Sequence, residues 1–236
     1  MGKYPEWQYD ELTGCGNKHN DTETAEQYDS FHEKFRDFDE EAREIISAIS
    51  LKKNQTVIDM GCGTGAFTIP AAAQCRKIHA VDIAGPMLQR CESKAAEANL
   101  TNIEFHNAGF LSYEHKNEPA DAIVSAFAMH HLPDFWKQVA FHKLCGMLKK
   151  GGRLFLRDVV YNIEFDDYLD CIEKLIHSGV HTHNNELDEQ IQSHIRNEYS
   201  TFDWIIEGML KKSGFNIDSA NSSDGFITSY LCTKTN

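Results

Sequence analysis

Short apolar runs alternate along the chain with longer segments in which apolar residues recur every three or four positions. The first four runs are VIDM from Val57, KIHAVDI from Lys77, NIEFHNAGF from Asn102 and DAIVSAF from Asp121. Such runs predict buried strands, and the periodic segments between them predict helices. A fifth run, in LKKGGRLFLRD, ends near Asp158. Strands that alternate with helices in this way indicate an α/β fold with a doubly wound, mostly parallel sheet.

Three parts of the chain fall outside this alternation. Residues 1–21 show no sustained period and predict an irregular arm, whereas residues 22–49 carry an apolar stripe that predicts one amphipathic helix or a broken pair. Residues 162–200 contain two helical patterns, which predict a helical cap inserted after the fifth strand. A last helix and two strand-like runs, FNIDSA and GFITSYLCTKT, end the chain. The predicted divisions are 1–50 for the N-terminal arm and lid helices, 51–161 for the core, 162–200 for the cap and 201–236 for the closing helix and strands.

A glycine-rich turn follows the first strand, in the stretch VIDMGCGTGAFT. Gly61, Gly63 and Gly65 permit backbone conformations and a close ligand approach that a Cβ would block. A helix is predicted to begin near Ala66, so a helix N-terminus follows the turn. Strand, glycine turn and helix together indicate a nucleotide-like ligand. Because the spacing also satisfies the dinucleotide fingerprint, the turn alone leaves both NAD and S-adenosylmethionine open.

Two carboxylates favour one of these ligands. Asp59 lies near the end of a buried strand, where a charge is costly unless something uses it. It could hold the backbone donors of the glycine turn or receive a cationic ligand group through a water, and it would repel a pyrophosphate. Asp82 ends the second strand 17 residues after Gly65, close to the spacing of about 20 for an acid that accepts ribose hydroxyls. S-adenosylmethionine, which carries an ammonium and a sulfonium and no phosphate, therefore suits the site better than NAD.

On these residues the chain resembles the class I S-adenosylmethionine-dependent methyltransferases of the small-molecule type. VIDMGCGTGAFT looks like their first motif, and LKKGGRLFLRD looks like their turn and fifth strand. AEQYD resembles the N-terminal segment that folds over the cofactor as a lid, and the final strand pair fits a seven-stranded sheet whose last strand is antiparallel. The resemblance is strong over roughly residues 25–160 and moderate at the end of the chain. It implies methyl transfer to a small molecule, with the acceptor atom (O, N, C or S) left open.

The resemblance also implies the cofactor contacts. Tyr28 would face the site from the lid, and Ile83 and Met87 would flank the adenine ring. The end of the fourth strand would contact the methionine part of the cofactor, largely through backbone. The full predicted cofactor set is Tyr28, Asp59, Gly61, Cys62, Gly63, Gly65, Asp82, Ile83, Met87, Ala108, Gly109, Phe110, Ser125, Ala126 and Phe127.

The chain departs from the family pattern at Gly109. Many members place an acid at this position, and that acid receives the adenine amino group, which Gly109 cannot do. The backbone N–H of Phe110 and apolar walls would hold the adenine instead, with Asn107 as a possible substitute. Loss of the acid should weaken discrimination at the purine amino group without abolishing binding.

Candidate catalytic residues follow the fourth strand and the cap. His130 and His131 stand where a proton acceptor could serve, because an imidazole with a pKa near 6.5 is neutral at physiological pH. Paired histidines before Leu-Pro equally suit a structural role. Tyr199 and Glu198 lie near the predicted substrate mouth, and Tyr199 completes the catalytic set.

The cap contains histidines that suggest a metal site. Their spacings are possible for ligands, but no cysteine or carboxylate pattern completes a site, so no metal is predicted. These histidines are His177, His181, His183 and His194.

Composition excludes several other classes of protein. The 23 basic and 36 acidic residues give a net charge of −13, which disfavours a nucleic-acid partner. No apolar run approaches the roughly 20 residues of a membrane span, and the N-terminus lacks the apolar core of a signal peptide. The seven cysteines are scattered and contain no CxxC pair, so a disulfide framework is not expected. We expect a cytoplasmic protein with a small-molecule partner and no membrane partner.

Two other functions remain compatible with the sequence. A nicotinamide-dependent oxidoreductase would share the glycine turn and Asp82, although it would not be expected to end in a strand pair. A non-catalytic S-adenosylmethionine-binding protein would keep the cofactor fold without methyl transfer.

Overall fold

A mostly parallel sheet forms the centre of the molecule. The computed structural model describes residues 5–14, 22–34, 36–163, 165–176, 185–223 and 225–235. The strands are β1 Thr56–Met60, β2 Lys77–Asp82, β3 Ile103–Asn107, β4 Ala120–Ala126, β5 Leu148–Tyr161, β6 Thr201–Phe202, β7 Phe215–Ser223 and β8 Ile227–Lys234. They lie in the order β3-β2-β1-β4-β5-β8-β7, with β6 beside β5.

The directions of the strands confirm the predicted α/β class. β1 to β5 run parallel to one another, whereas β8 runs antiparallel to β5 and to β7. The main path therefore contains the seven predicted strands. The two-residue strand β6 adds an eighth, parallel to β5, which the sequence did not predict because two residues carry no period.

The helices lie before, between and after these strands. They are α1 Glu11–Gly14, α2 Thr22–His32, α3 Phe38–Ala48, α4 Thr68–Ala72, α5 Gly85–Glu97, α6 Asp134–Met147, α7 Tyr168–Ile176, α8 Asn185–Asn197 and α9 Asp203–Lys212. The lid is the broken pair α2 and α3, and α3 begins where the Asp37 side chain accepts the backbone N–H of Glu40 at 2.8 Å. α7 and α8 occupy the predicted cap region, and the domain boundaries themselves stay a prediction.

The described part of the arm, residues 5–14, contains a helical turn where the sequence predicted irregular structure. Asp10 accepts the backbone N–H of Leu12 at 3.1 Å and the hydroxyl of Thr13 at 2.9 Å. These local bonds allow the one-turn helix α1 in a segment that shows no apolar period.

Both faces of the central strands β1, β2 and β4 are buried, which explains their continuous apolar runs. One face, with Ile58, Met60, Ile123 and Leu154, packs on α6 and α9 through Phe141, Leu144, Ile206 and Leu210. The other face, with Val57, Ile78, Val124 and Phe155, packs on α3 and α4 through Ile45, Ile49, Ala71 and Ala72. None of the described helices has both the length and the apolar character that a membrane span requires.

The connections of the strands determine where a ligand can bind. β1 pairs with β2 on one side and with β4 on the other. The strand order thus reverses direction at β1, and in open α/β sheets a ligand binds at such a point, beyond the carboxyl ends of the strands.

Candidate functional site

One pocket lies at these carboxyl ends. The glycine turn forms its floor, the segments after β2, β3 and β4 form its walls, and α1, α2 and α3 contribute side chains above it. All of the predicted cofactor residues except Gly65 and Ser125 line this pocket. They are Tyr28, Asp59, Gly61, Cys62, Gly63, Asp82, Ile83, Met87, Ala108, Gly109, Phe110, Ala126 and Phe127.

The other two predicted cofactor residues lie behind the pocket wall. A Cβ on Gly65 would come within 2.6 Å of the Cys91 sulfur, so this glycine permits the turn to pack on α5. Ser125 is fully buried within β4, and its hydroxyl has no hydrogen-bond partner among the described residues. Any contribution of either residue to cofactor binding stays a prediction.

The glycine turn is held by its neighbours in a conformation that favours glycine. Gly61 and Gly63 have φ values of 75° and 53°, in the left-handed region. The backbone N–H groups of Gly61 and Cys62 donate to the Val81 carbonyl, at 2.8 and 3.1 Å. A Cβ on Gly61 would lie 2.4 Å from the Cβ of Ala128, whereas one on Gly63 would meet no protein atom within 4 Å. The turn therefore leaves open space for a ligand at Gly63.

Asp82 links the end of β2 to the turn. Its two carboxylate oxygens accept the backbone N–H groups of Gly63 at 2.7 Å and Ala84 at 2.8 Å. Burial raises the pKa of this carboxyl, and the two backbone donors partly offset the effect. Each oxygen keeps a further lone pair, so the group can still accept hydroxyl donors from a ligand.

Asp59 is buried under the same turn and accepts the hydroxyl of Thr68 at 2.5 Å. The turn's donors go instead to Val81 and Asp82, so of the two roles predicted for Asp59, attraction of a cationic ligand group is the one this geometry favours. Burial raises its pKa to about 7. A buried acid with such a pKa ionises readily when a positive charge approaches.

Glu11 enters the pocket from the arm, which the sequence did not predict. This buried side chain accepts the backbone N–H of Leu111 at 3.0 Å and the hydroxyl of Ser112 at 3.2 Å. A Cβ on Gly109 would lie only 2.4 to 2.7 Å from the atoms of its carboxylate group. The acid thus occupies the space that a side chain at position 109 would take.

The lid adds an ion pair that the sequence also did not reveal. Arg36 donates two hydrogen bonds to Glu41, at 2.9 and 2.6 Å, and its guanidinium lies 4.5 Å from the ring centroid of Phe127. On α2, Asp29 accepts the hydroxyl of Thr64 at 2.5 Å. These contacts attach the lid to both the glycine turn and the end of β4.

The two candidate histidines have different environments. His130 is buried away from the pocket lining, and its Nδ1 donates to Asp158 at 2.5 Å. The same carboxylate accepts the backbone N–H groups of Met129 at 2.7 Å and His130 at 3.2 Å. Although burial alone would lower the pKa of His130, Asp158 outweighs it and raises the pKa. This pair fixes the short 3₁₀ turn Met129–His131.

His131 is the one of the two that lines the pocket. Its Nδ1 donates to Glu198 at 3.0 Å, just after the cap helix α8. Burial raises the pKa of Glu198, but the bond to His131 outweighs that effect and lowers it. Tyr199, the third predicted catalytic residue, is not part of the pocket lining. Its backbone N–H donates to the His130 carbonyl at 2.9 Å, and the residue is 44% exposed, with its ring edge-on to that of Tyr9.

The charges around the pocket suit one kind of ligand. Among the described residues, its lining contains four carboxylates, from Glu11, Glu41, Asp59 and Asp82, and only Arg36 and His131 as basic groups. Arg36 is already paired with Glu41. A pyrophosphate would be repelled here, whereas a nucleoside that carries cationic groups and no phosphate has a charge complementary to that of the pocket.

Known proteins with similar sequences are methyltransferases. Residues 57–152 match a family model described as a methyltransferase domain. An uncharacterised methyltransferase of Geobacillus kaustophilus is 27% identical over 84% of this chain and 88% of its own. One from Bacillus mycoides is 26% identical over 83% of this chain and 87% of its own.

Solved structures share the fold. Magnesium protoporphyrin IX methyltransferase from Synechocystis PCC 6803, with bound S-adenosylmethionine, superposes with a TM-score of 0.64 at 15% identity, covering 98% of this chain and all of that one. The cyclopropane synthase MmaA2 of Mycobacterium tuberculosis gives 0.65 at 15% identity, covering 82% and 83%. The matched domain, the similar methyltransferases and the pocket together support an enzyme that uses S-adenosylmethionine as its methyl donor.

Proposed function

We propose that the protein transfers a methyl group from S-adenosylmethionine to a small-molecule acceptor at the His131 end of the pocket. The observation that carries this proposal is the lid: α2 and α3 lie over the pocket and are attached through Asp29 and Arg36. A covered pocket admits a small molecule more easily than a macromolecule. The net charge of −13 also argues against a nucleic-acid acceptor. A porphyrin, the acceptor named for one fold neighbour, is a small molecule too.

In this mechanism the chain chiefly orients its ligands and excludes water. S-adenosylmethionine, when bound, supplies a methyl group on a positively charged sulfur. Orientation can contribute about 7 to 11 kcal/mol to such a reaction. We assign His131 as the proton acceptor for an acceptor hydroxyl, amine or thiol, because it lines the pocket and Glu198 holds its Nδ1. Glu198 would also stabilise the imidazolium that forms.

His130 has a different role in this proposal. Its bond to Asp158, and the backbone bonds of the same carboxylate, hold the turn that carries His131. His130 is therefore a positioning residue. The sequence named both histidines together, and their environments separate them.

Asp59 should make cofactor binding dependent on pH. Because a bound cation favours the ionised carboxylate, affinity for S-adenosylmethionine is expected to rise with pH through about 7, by at most about tenfold per pH unit. Asp59→Asn should flatten this profile. Calorimetry between about pH 6 and 8 measures the cofactor affinity of the wild type and of the variant. If affinity in the variant rises with pH as steeply as in the wild type, another group is responsible for the titration.

Asp59 should also make the stability of the cofactor-free protein depend on pH. This stability should fall as the pH rises, whereas cofactor affinity should increase. Its pKa in the folded state is raised from 3.8 to about 7. The contribution to stability is therefore fully present below 3.8 and is lost as the pH rises through about 7.

We also propose that Glu11 accepts the adenine amino group. Its carboxylate lies against Gly109, beside Ala108 and Phe110, in the part of the pocket that follows Asp82. An acid from the arm would then serve where the family pattern has an acid at position 109. Asn107 is less suitable, because its amide donates to the carbonyls of Asp82 and Ile83 at 3.0 and 2.9 Å and thereby holds the strand ends.

Substitution of Glu11 tests this role. Glu11→Ala should weaken binding of S-adenosylhomocysteine by about 10- to 150-fold, the value of one charged hydrogen bond. The same substitution should weaken binding of S-inosylhomocysteine, which lacks the amino group, much less. Calorimetry with both ligands measures the ratio of affinities. An equal loss of affinity for the two ligands would show that Glu11 only holds Leu111 and Ser112 in place and does not bind the amino group.

A second substitution provides the matched control. Gly109→Asp should be harmful in the wild-type chain, since its Cβ would meet the Glu11 carboxylate at 2.4 Å. In the Glu11→Ala background that space is free, and the same change should restore discrimination for adenine.

Release of S-adenosylhomocysteine tests the proposed function as a whole. Purified protein is given S-adenosylmethionine and a panel of small alcohols, phenols, amines, thiols and carbon acids, with a protein and an RNA mixture as controls. We expect turnover with one small-molecule class and none with the macromolecules. Turnover with the macromolecules alone would refute the small-molecule acceptor.

A further inference from the structure

A second cluster of ligand-type side chains lies at the edge of the sheet. His79 on β2 and Glu104 and His106 on the edge strand β3 share one face, because His79 is level with Glu104 and alternate residues of a strand point the same way. None of the three is among the residues that line the cofactor pocket. The cluster is therefore separate from the site described above.

The distances within the cluster are those of a metal site. His79 Nδ1 lies 3.1 Å from His106 Nε2 and 3.8 Å from the nearer oxygen of Glu104, and His106 Nε2 lies 3.5 Å from the other oxygen. Zinc binds imidazole nitrogen and carboxylate oxygen at about 2.0 to 2.1 Å in tetrahedral geometry, which separates neighbouring ligand atoms by about 3.4 Å. The two imidazole nitrogens and the Glu104 carboxylate are therefore separated by distances close to that value, and one ligand atom from each residue lies within 4.8 Å of the other two.

We propose that His79, Glu104 and His106 bind a divalent cation of the zinc type. Two imidazoles and one carboxylate suit zinc and its late first-row neighbours, whereas calcium and magnesium prefer oxygen ligands alone. Three protein ligands leave the fourth position to a water molecule.

A hydrogen bond between the two rings is the alternative explanation. It would account for the 3.1 Å distance, but it gives the Glu104 carboxylate no part in the arrangement. The two explanations make different predictions: only a metal site should bind a divalent cation and be stabilised by it.

Neighbouring residues define the limits of the site. His115 lies edge-on to His79, with ring centroids 4.9 Å apart, but both its nitrogens are occupied, by the Tyr113 hydroxyl and the Glu118 carbonyl, each at 3.0 Å. It closes the site without serving as a ligand. Lys77, whose ammonium is 2.5 Å from Glu104, opposes a cation.

The site would connect the edge of the sheet to the cofactor pocket. A cation would tie β3 to β2 directly before Asn107, whose side chain holds the carbonyls of Asp82 and Ile83. Metal binding should therefore stabilise the edge strand and raise the unfolding temperature of the protein.

Titration of metal-free protein tests the proposal. After treatment with a chelator and its removal, zinc binding is followed by calorimetry, and cobalt is used as a probe because tetrahedral cobalt absorbs visible light. We expect one saturable site, and each of Glu104→Gln and His106→Ala should weaken it by about 100-fold or more, since loss of even an outer partner costs about 10- to 100-fold. Lys77→Gln should bind more tightly, because it removes a competing positive charge.

Three controls make the result decisive. His142→Ala removes an exposed histidine on α6 and should leave binding unchanged. Glu104 is 42% exposed, so Glu104→Gln should fold normally, and unchanged affinity for S-adenosylhomocysteine checks this. Zinc affinity that survives in both Glu104→Gln and His106→Ala, or that is lost in His131→Ala instead, overturns the proposal.

Discussion

Replacement of His131 with alanine is expected to lower kcat by about 10² to 10⁴-fold, the usual contribution of a positioned proton acceptor. Cofactor affinity should change little, because the glycine turn, Asp59 and Asp82 supply the binding groups. Glu198→Gln should cause a smaller loss, since the imidazole remains but its Nδ1 loses an ionised partner. Initial rates with the acceptor found by the panel, together with calorimetry of S-adenosylhomocysteine, measure the two effects separately.

The controls for this experiment come from the other histidines. His142→Ala should keep the wild-type kcat, because that side chain is exposed on α6. A His131→Ala variant with nearly wild-type kcat would exclude His131 as the proton acceptor. The reaction would then rest on orientation alone, which is possible because the sulfonium is already activated.

Replacement of Gly63 with valine should abolish cofactor binding in a folded protein. Its φ of 53° is strained for a β-branched residue, and its Cβ would point into space that no protein atom occupies within 4 Å. We assign that space to the cofactor. Calorimetry of S-adenosylhomocysteine measures the loss, and circular dichroism checks the fold.

A helical glycine supplies the matched control. Gly146→Val, at an exposed position of α6 with no atom near its Cβ, should leave binding intact. Wild-type affinity in Gly63→Val would refute the close approach of the cofactor to this turn.

The sequence predicted those parts of the molecule that depend on short segments. The strands, the glycine turn and the carboxylates at the ends of β1 and β2 follow from apolar runs and fixed spacings, because neighbouring residues create them. The broken lid was predicted as one of two alternatives, and Asp37 determines where α3 begins.

Contacts between distant segments could not be predicted in this way. Glu11 reaches Leu111 and Ser112 across about 100 residues of chain, and α1 has no apolar period that would place it. The only signal was indirect: Gly109 lacked the acid that the family pattern supplies. A close acid from elsewhere in the chain explains why a glycine is needed there.

The histidines illustrate the same limit. His130 and His131 are adjacent, and no sequence pattern distinguishes them. In the structure, His130 is hydrogen-bonded to Asp158 and His131 to Glu198. His79 and His106 lie inside strand patterns, and only the register of β2 and β3 brings them together. The histidines first considered for a metal, His177, His181 and His183, lie outside the described residues, whereas His194 donates or accepts a hydrogen bond with Ser200 at 2.7 Å.

Transfer of a labelled methyl group tests whether the protein methylates a small molecule. The protein is incubated with S-adenosylmethionine that carries a deuterated methyl group and with a cell extract separated into small-molecule and macromolecular fractions, and mass spectrometry locates the label. We expect a labelled product in the small-molecule fraction that disappears with Gly63→Val. Label found only in the macromolecular fraction, or S-adenosylhomocysteine binding without any labelled product, would contradict it.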